Sequence, residues 1–327
     1  MNLQESRILV TGGAGLIGSH VVDHLIAERP REIIAFDKDI STFMKNRSPE
    51  LDYKHVTPLE GDISRKDEVQ KVLKGVDFVV HTASILAREA VKDLRAAFDV
   101  NIGGTFNLLE GSVEAGVKKV IYSSSVLVYG NNPPTNPIPE EHTLNTDSMY
   151  GAGKVASEFL LRVFKKTKGL DYLILRYCGV YGPRQHFRGN LVLFIPECFD
   201  RIDRGLPPII YGDGSQPYDY VYVEDVARAN VLAVKSPVSG EAINIGTGVA
   251  PTVKDVVEVI REITGTSLEP EYGPQGDRFQ QQSLWPDVAK AEKMLGFKAQ
   301  VTLKEGLTRL YHWWRKQKMQ HQTPNES

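Results

Sequence analysis

The chain has 327 residues, a formal net charge of -2 and 24% charged residues, enough length to bury a core as one large domain or two unequal lobes. The balanced charge excludes the basic footprint of a nucleic-acid partner, and no apolar run is long enough for a membrane span. The start, Met1 to Arg7, leads straight into a strand-like segment without a signal peptide, which predicts a cytoplasmic protein.

Arg7-Ile8-Leu9-Val10 reads as a strand. It runs into Thr11 to His20, where Gly12, Gly15 and Gly18 precede a helical apolar pattern from Val21 to Ile26. A glycine turn between strand and helix admits the close approach of a pyrophosphate, and the helix N-terminus adds partial positive charge. Glu32 to Phe36 reads as a second strand, and Asp37 falls at its end, 19 residues after Gly18. A carboxylate there hydrogen-bonds both ribose hydroxyls of adenosine and repels a 2′-phosphate, so NAD is expected in preference to NADP. An Asp that only caps a turn gives the same spacing.

Lys54 to Leu59 leads to Gly61-Asp62-Ile63, 65–74 is amphipathic and helical, and Val76 to His81 is a buried strand entering Thr82-Ala83-Ser84. Such alternation predicts a doubly wound parallel sheet, an α/β fold whose ligands lie beyond the carboxyl ends of the strands. The stretch 87–115 reads as two helices broken near Asn101-Ile102-Gly103-Gly104, and the strand from Lys119 ends in Ser123-Ser124-Ser125. Tyr150 and Lys154, four residues apart on one helix, share a face. A phenol acts as a base near neutral pH after its pKa falls by roughly 3 units, about 4 kcal/mol, which a cation beneath it supplies. A packed Tyr beside a solvated Lys gives the same spacing.

Leu173 to Tyr177 is a further sheet strand, Glu241 to Gly246 a late one, and 252–264 an amphipathic helix. Cys178 and Cys198 sit in apolar surroundings and read as buried thiols. His81, His142 and His186 offer no second chemistry, and no cluster has metal-ligand spacing, so no metal is expected. The last helix, 303–316, carries Trp313 and Trp314 for core and dimer packing, and the polar stretch 317–327 reads as a disordered tail.

Taken together, the glycine turn, Asp37, Gly61-Asp62-Ile63, Asn101, Ser123 to Gly130 and Tyr150-Gly151-Ala152-Gly153-Lys154 resemble the extended short-chain dehydrogenase/reductase family. The nearest branch is its NAD-dependent sugar-nucleotide epimerases and dehydratases, and the resemblance runs from about residue 6 to 315. It implies a Rossmann domain over 1–178 and 222–247, a smaller α/β substrate-binding lobe over 179–221 and 248–316, and a homodimer through helices near 90–115 and 150–167.

The resemblance also implies roles. Tyr150 is the base, Lys154 holds the nicotinamide ribose and lowers the phenol pKa, and Ser125 hydrogen-bonds the reacting hydroxyl. Cofactor contacts are implied for Gly12, Gly15, Leu16, Ile17 and Gly18 at the phosphates, Asp37 at the ribose, and Asp62 with Ile63 at adenine. Thr82, Ala83 and Ser84 run beside the cofactor, with Asn101, Ser123, Tyr177 and Val180 completing its pocket. Substrate contacts are implied for Ser125, Arg88, Gly179, Asn190, Leu191, Tyr211, Tyr218 and Arg278. Dehydratases of this branch carry Asp-Glu after the catalytic Thr, where this chain has Val126-Leu127, and neither can transfer a proton.

The chain departs from the family pattern at Gly179, where an Asn is usual, and at Tyr218 and Pro274, where an Arg is usual. The expected function is 4-epimerisation of a nucleotide sugar, a UDP-hexose by default, through a transient 4-keto intermediate. The departures leave open an NAD-dependent dehydrogenase or reductase acting on a hydroxyl substrate without a nucleoside diphosphate. An idle NAD sensor is expected to have lost the Tyr or the Lys, and this chain keeps both.

Overall fold

The protein is described from a computed structural model that covers residues 2–130, 133, 135–185, 194–274 and 283–322. In chain order its strands are β1 (Arg7–Thr11), β2 (Glu32–Asp37), β3 (Val56–Glu60), β4 (Phe78–His81), β5 (Lys119–Ser125) and β6 (Asp171–Tyr177), then β7 (Gly179–Tyr181), β8 (Ile209–Tyr211), β9 (Tyr220–Tyr222), β10 (Glu241–Ile245) and β11 (Glu271–Gly273). Seven of them form one sheet in the order β3-β2-β1-β4-β5-β6-β10, every pair parallel. The central strands are buried on both faces, which is why they read as continuous apolar runs and do not alternate.

Helices Leu16–Ile26 and Val223–Lys235 cover one face, joining Val21, Val22, Leu25 and Val226 to Ile8, Val10 and Ile33 in one core. Helices Lys66–Val72, Thr105–Ala115 and Met149–Lys168 cover the other, where Val69, Leu108, Leu161 and Phe164 pack on Leu9, Val79 and Ile174. This is a doubly wound, Rossmann-type sheet. The order reverses beside β1 and β4, so the crevice at their carboxyl ends is where such a fold receives its ligand.

Beyond the main sheet, β7 pairs with β9 and β8 with β11. Helices Phe194–Asp203, Val253–Thr264 and Leu303–Gln322 enclose a separate apolar cluster of Ile195, Phe199, Val256, Ile260, Leu307, Leu310 and Trp314. The middle helix of these starts sharply because Thr252 and Asp255 form a reciprocal capping box.

Two expectations need correction. The helix does not break at Asn101-Ile102-Gly103-Gly104. Asp99–Gly104 is a π-helical turn continuous with Leu94–Phe98 before it and Thr105–Ala115 after it, and the break lies at Asp93. Gly104 serves packing there, since a Cβ on it would overlap Ile63 Cγ1. The wide turn lets the Asn101 side chain face inward. The final helix also outruns its expected end and continues to Gln322, so the tail predicted from residue 317 is helical at its start. Lys318 holds that extension by an ion pair to Asp203 at 2.5 Å and by lying 4.9 Å over the Trp314 ring.

Candidate active site

The glycine turn follows directly from β1. Gly12 has φ +69, a left-handed conformation natural to glycine, and a Cβ on it would stand 2.7 Å from Ala83 N and from Thr82 Oγ1. A Cβ on Gly18 would overlap Gly12 O, so these two glycines let the turn close on itself and on the start of the 82–84 segment. Gly15 differs: its missing Cβ would meet only Gly12 O, at 3.2 Å. It is the N-cap of helix Leu16–Ile26, and no side chain caps that helix. Gly15 N donates to Gly12 O at 3.0 Å, so the backbone N–H groups of Leu16, Ile17 and Gly18 form the open donor rim, of the kind that receives a phosphate. Asp37 stands at its mouth, with Oδ2 accepting from Ala14 N at 3.0 Å and Oδ1 from Asp39 N at 3.3 Å. A cradle without side chains and a fixed carboxylate beside it fit the pyrophosphate and adenosine ribose of NAD.

The neighbouring segments are tied to that cradle. Thr82 Oγ1 donates to Thr11 O at 2.7 Å, and Ala83 N donates to Thr11 Oγ1 at 3.4 Å. Asn101 accepts at Oδ1 from Ile85 N at 2.8 Å and from Ser84 Oγ at 3.1 Å, and its Nδ2 donates to Ile85 O at 2.9 Å. Its side chain is thus a clamp on the 84–85 backbone. Asp62 turns its carboxylate onto Ser64 N at 2.9 Å and Lys38 Nζ at 3.0 Å. Burial raises that carboxyl, but Ser64 and Lys38 outweigh it and hold it below the ordinary carboxylate range. Ile63 is buried in the core with Val69 and Leu108, and its carbonyl accepts from Asn107 Nδ2 at 3.2 Å. His81 hydrogen-bonds Thr11 Oγ1 at 2.7 Å and Thr105 Oγ1 at 3.1 Å, and burial pulls it down to about 3, so it is a neutral packing residue as expected.

At the carboxyl end of β5 the reactive residues meet. Ser148 caps helix Met149–Lys168 by accepting from Gly151 N at 3.0 Å, which fixes where the first turn carries Tyr150. Lys154, one turn on, is buried, donates to Ser123 O at 2.7 Å, and lies 5.5 Å from the Tyr150 ring centre and 5.0 Å from that of Tyr122. Ser125 ends β5 with its Oγ accepting from Leu127 N at 3.2 Å, and the same hydroxyl lies near enough to the Tyr150 phenol to pull its pKa down. Ser123 reaches the Tyr177 hydroxyl at 3.1 Å, and Tyr177 donates on to Asn230 Oδ1 at 3.0 Å, so that phenol is committed inside the protein. Val180, half-buried on β7, packs against the adjoining core.

The phenol pKa does not fall as expected from the spacing. Burial pushes Tyr150 up to about 12 against the pull of Ser125, and burial pulls Lys154 down to about 7 against the nearby Glu158 carboxylate. Desolvation penalises both charged forms and is the largest influence on each.

Sequence reasoning missed what lies beneath Lys154. Glu158 and Arg176 form an ion pair at 2.6 Å with side-chain exposures of 0% and 1%. Glu158 also accepts from Ser124 Oγ at 2.6 Å, and Arg176 donates to the Tyr129 hydroxyl at 2.7 Å, which donates to Asn244 Oδ1 at 2.8 Å. Two signals could have found it: Glu158 follows Lys154 at the same helical spacing as Lys154 follows Tyr150, and Arg176 is a charge inside the apolar run Leu173 to Tyr177.

The substrate-side candidates divide. Gly179 and Tyr218 are in contact. Tyr211 lies half-buried at the end of β8, its hydroxyl 3.4 Å from Glu197 Oε1, and Arg88 lies half-buried on helix Ala87–Lys92. Asn190, Leu191, Arg278 and His186 lie outside the described residues. Val126 is buried and Leu127 half-buried directly after Ser125, so no acid or base occupies either place.

Comparison with known proteins agrees with this geometry. The model of the NAD dependent epimerase/dehydratase family matches residues 8–246. A UDP-glucose 4-epimerase of Mycolicibacterium smegmatis is 34% identical over 321 residues, covering 94% of this chain and 98% of that protein. The crystal structure of Thermotoga maritima UDP-glucose 4-epimerase with UDP-glucose superposes with a TM-score of 0.87 at 36% identity, over 95% of this chain and 99% of that one. That of Bacillus cereus UDP-glucuronic acid 4-epimerase with UDP-glucuronic acid and NAD gives 0.85 at 29% identity, over 95% and 99%.

Proposed function

The chain belongs to the NAD dependent epimerase/dehydratase family, and from that membership we propose that it is an NAD-dependent 4-epimerase of a nucleotide sugar, with a UDP-hexose as substrate. The observation that carries the reading is the meeting of Tyr150, Lys154 and Ser125 at the end of β5, beside a cradle shaped for a dinucleotide.

In this reading Gly15 to Gly18 hold the pyrophosphate, Asp37 the adenosine ribose, and Asp62 and Ile63 flank adenine. NAD, when bound, supplies a reversible hydride acceptor. Ser125 hydrogen-bonds the sugar hydroxyl and, later, the 4-keto oxygen. Tyr150 takes the hydroxyl proton as the ketone forms and returns it as the alcohol is remade, while Lys154 steadies the phenolate. Epimerisation needs nothing more than a ketone that turns its other face before reduction. Water elimination needs an acid and a base of its own, which Val126 and Leu127 do not supply. The relatives do not favour the dehydrogenase alternative.

We assign 1–178 and 222–247 to cofactor binding and 179–221 with 248–316 to the substrate. The test is a proton NMR time course of UDP-glucose, UDP-N-acetylglucosamine and UDP-glucuronate with protein and catalytic NAD. The expected result is the 4-epimer's anomeric signal without accumulating NADH. Stoichiometric NADH would make the protein a dehydrogenase.

No helix among the described residues is long and apolar enough to cross a membrane. The buried free thiols Cys178 and Cys198 suit a reducing compartment, in line with a cytoplasmic enzyme. A homodimer is part of the same proposal. Val91, Leu94, Phe98, Phe106, Phe159 and Val163 lie exposed on neighbouring helices, Phe159 by 51% and Val163 by 52%, and an apolar face of this kind fits a second copy of the chain. Phe159→Glu with Val163→Glu is expected to halve the mass seen by light scattering. An unchanged dimer would place the interface elsewhere.

A further inference from the structure

Two departures from the family pattern, far apart in sequence, meet in space. β7 and β9 pair with Gly179 opposite Tyr220, and Gly179 N donates to Asp219 O at 3.0 Å. That register lays the Tyr218 ring over residue 179, where a Cβ would stand 2.6 Å from Tyr218 Cε1 and 2.9 Å from Asp219 O. No side chain fits at 179 while Tyr218 keeps its place. The ring has taken the volume, and the glycine is its complement.

The ring is also held. Tyr218 N donates to Pro251 O at 3.1 Å, and Tyr218 bridges to Leu284. The Tyr220 ring meets it edge-on at 5.4 Å between centres. The next residue, Asp219, is anchored in turn, its carboxylate accepting from Thr247 Oγ1 at 2.7 Å and Gly248 N at 2.9 Å. The Tyr218 hydroxyl is turned inward, toward the Cys178 thiol. The ring itself stays partly exposed, in one apolar cluster with Val126 and Val155, the residues that follow Ser125 and Lys154. What Tyr218 adds to this cluster, where an Arg is usual, is therefore an uncharged aromatic surface.

We propose that Tyr218, seated on Gly179, is a specificity residue that packs against the C–H face of the substrate's pyranose ring and makes no charge contact with its diphosphate. This rests on the nucleotide-sugar reading. Aromatic rings complement the apolar face of a sugar, and a locked ring does so with little ordering cost.

The test is calorimetric binding of UDP-glucose and of UDP to the NAD-loaded protein. Tyr218→Ala is expected to weaken UDP-glucose about tenfold and UDP by less than about twofold, since only the former has a sugar to lose the ring. Tyr218→Phe keeps both affinities, because the hydroxyl faces away. Gly179→Ala pushes the ring from behind and gives the same selective loss if Tyr218→Ala does not fold. Equal weakening of UDP, or a loss in Tyr218→Phe matching that of Tyr218→Ala, would overturn the proposal. UDP-glucose bound selectively but never epimerised would sink the epimerase reading and leave the aromatic wall standing. No binding of either ligand to the wild type would overturn both.

Discussion

Tyr150→Phe lowers epimerisation by about 10²–10⁴-fold while NAD affinity stays within a factor of about two. The ring survives the change, and the groups around it keep their other partners: Lys154 still donates to Ser123 O, and Ser125 still accepts from Leu127 N. Only the proton carrier is lost. Single-turnover reduction of NAD by UDP-glucose isolates the step, and a variant that reduces NAD at the wild-type rate would remove Tyr150 from the mechanism. The pH dependence has a definite sign. With burial holding the phenol at about 12, the base form is scarce at neutral pH, so kcat/KM climbs as pH rises. A cation favours the phenolate, and burial pulls Lys154 down to about 7, so Lys154→Met lowers kcat/KM most at and below neutral pH, where the ammonium keeps its charge. An equal loss at every pH would show that Lys154 holds the ribose without acting on the phenol.

The largest effect on stability is expected at the ion pair beneath Lys154. Glu158→Ala leaves the Arg176 guanidinium buried without its carboxylate, a loss of about 3–5 kcal/mol by urea unfolding. Replacing both, as Glu158→Met with Arg176→Met, removes the stranded charge and recovers most of that loss. Losses that simply add would mean that the pair is not coupled. The restored fold does not restore catalysis. Glu158 is the carboxylate that raises the Lys154 pKa, and without it the ammonium, already down at about 7, loses more of its charge at neutral pH. Stability and turnover should therefore separate in the double variant.

What the sequence discloses follows the range of the interactions. The β1 turn with its glycines, Asp37 at the end of β2, and the Tyr150–Lys154 spacing are local patterns whose geometry a strand end or one helical turn dictates, and each lies where it was expected. Arg176 against Glu158 and Gly179 against Tyr218 depend on which strands become neighbours, so no local period shows them. The Tyr150 pKa escaped for a related reason, because spacing shows the cation but not the amount of water excluded around it. At Asn101 the glycines suggested a break, while packing against Ile63 needed one of them, Gly104, inside a continuous helix.

β10 completes the main sheet beside β6, yet the chain between them, residues 178–240, first builds β7, β8 and β9. During synthesis from the N-terminus, the β6 edge waits with one row of backbone donors and acceptors unpaired until that whole excursion has left the ribosome. An open edge is a template for mispairing, and closing so long a loop is slow. The order of the genetic message thus makes maturation of the cofactor-binding sheet depend on chain that lies outside it, and a ribosome that stalls within 178–240 leaves an adhesive product.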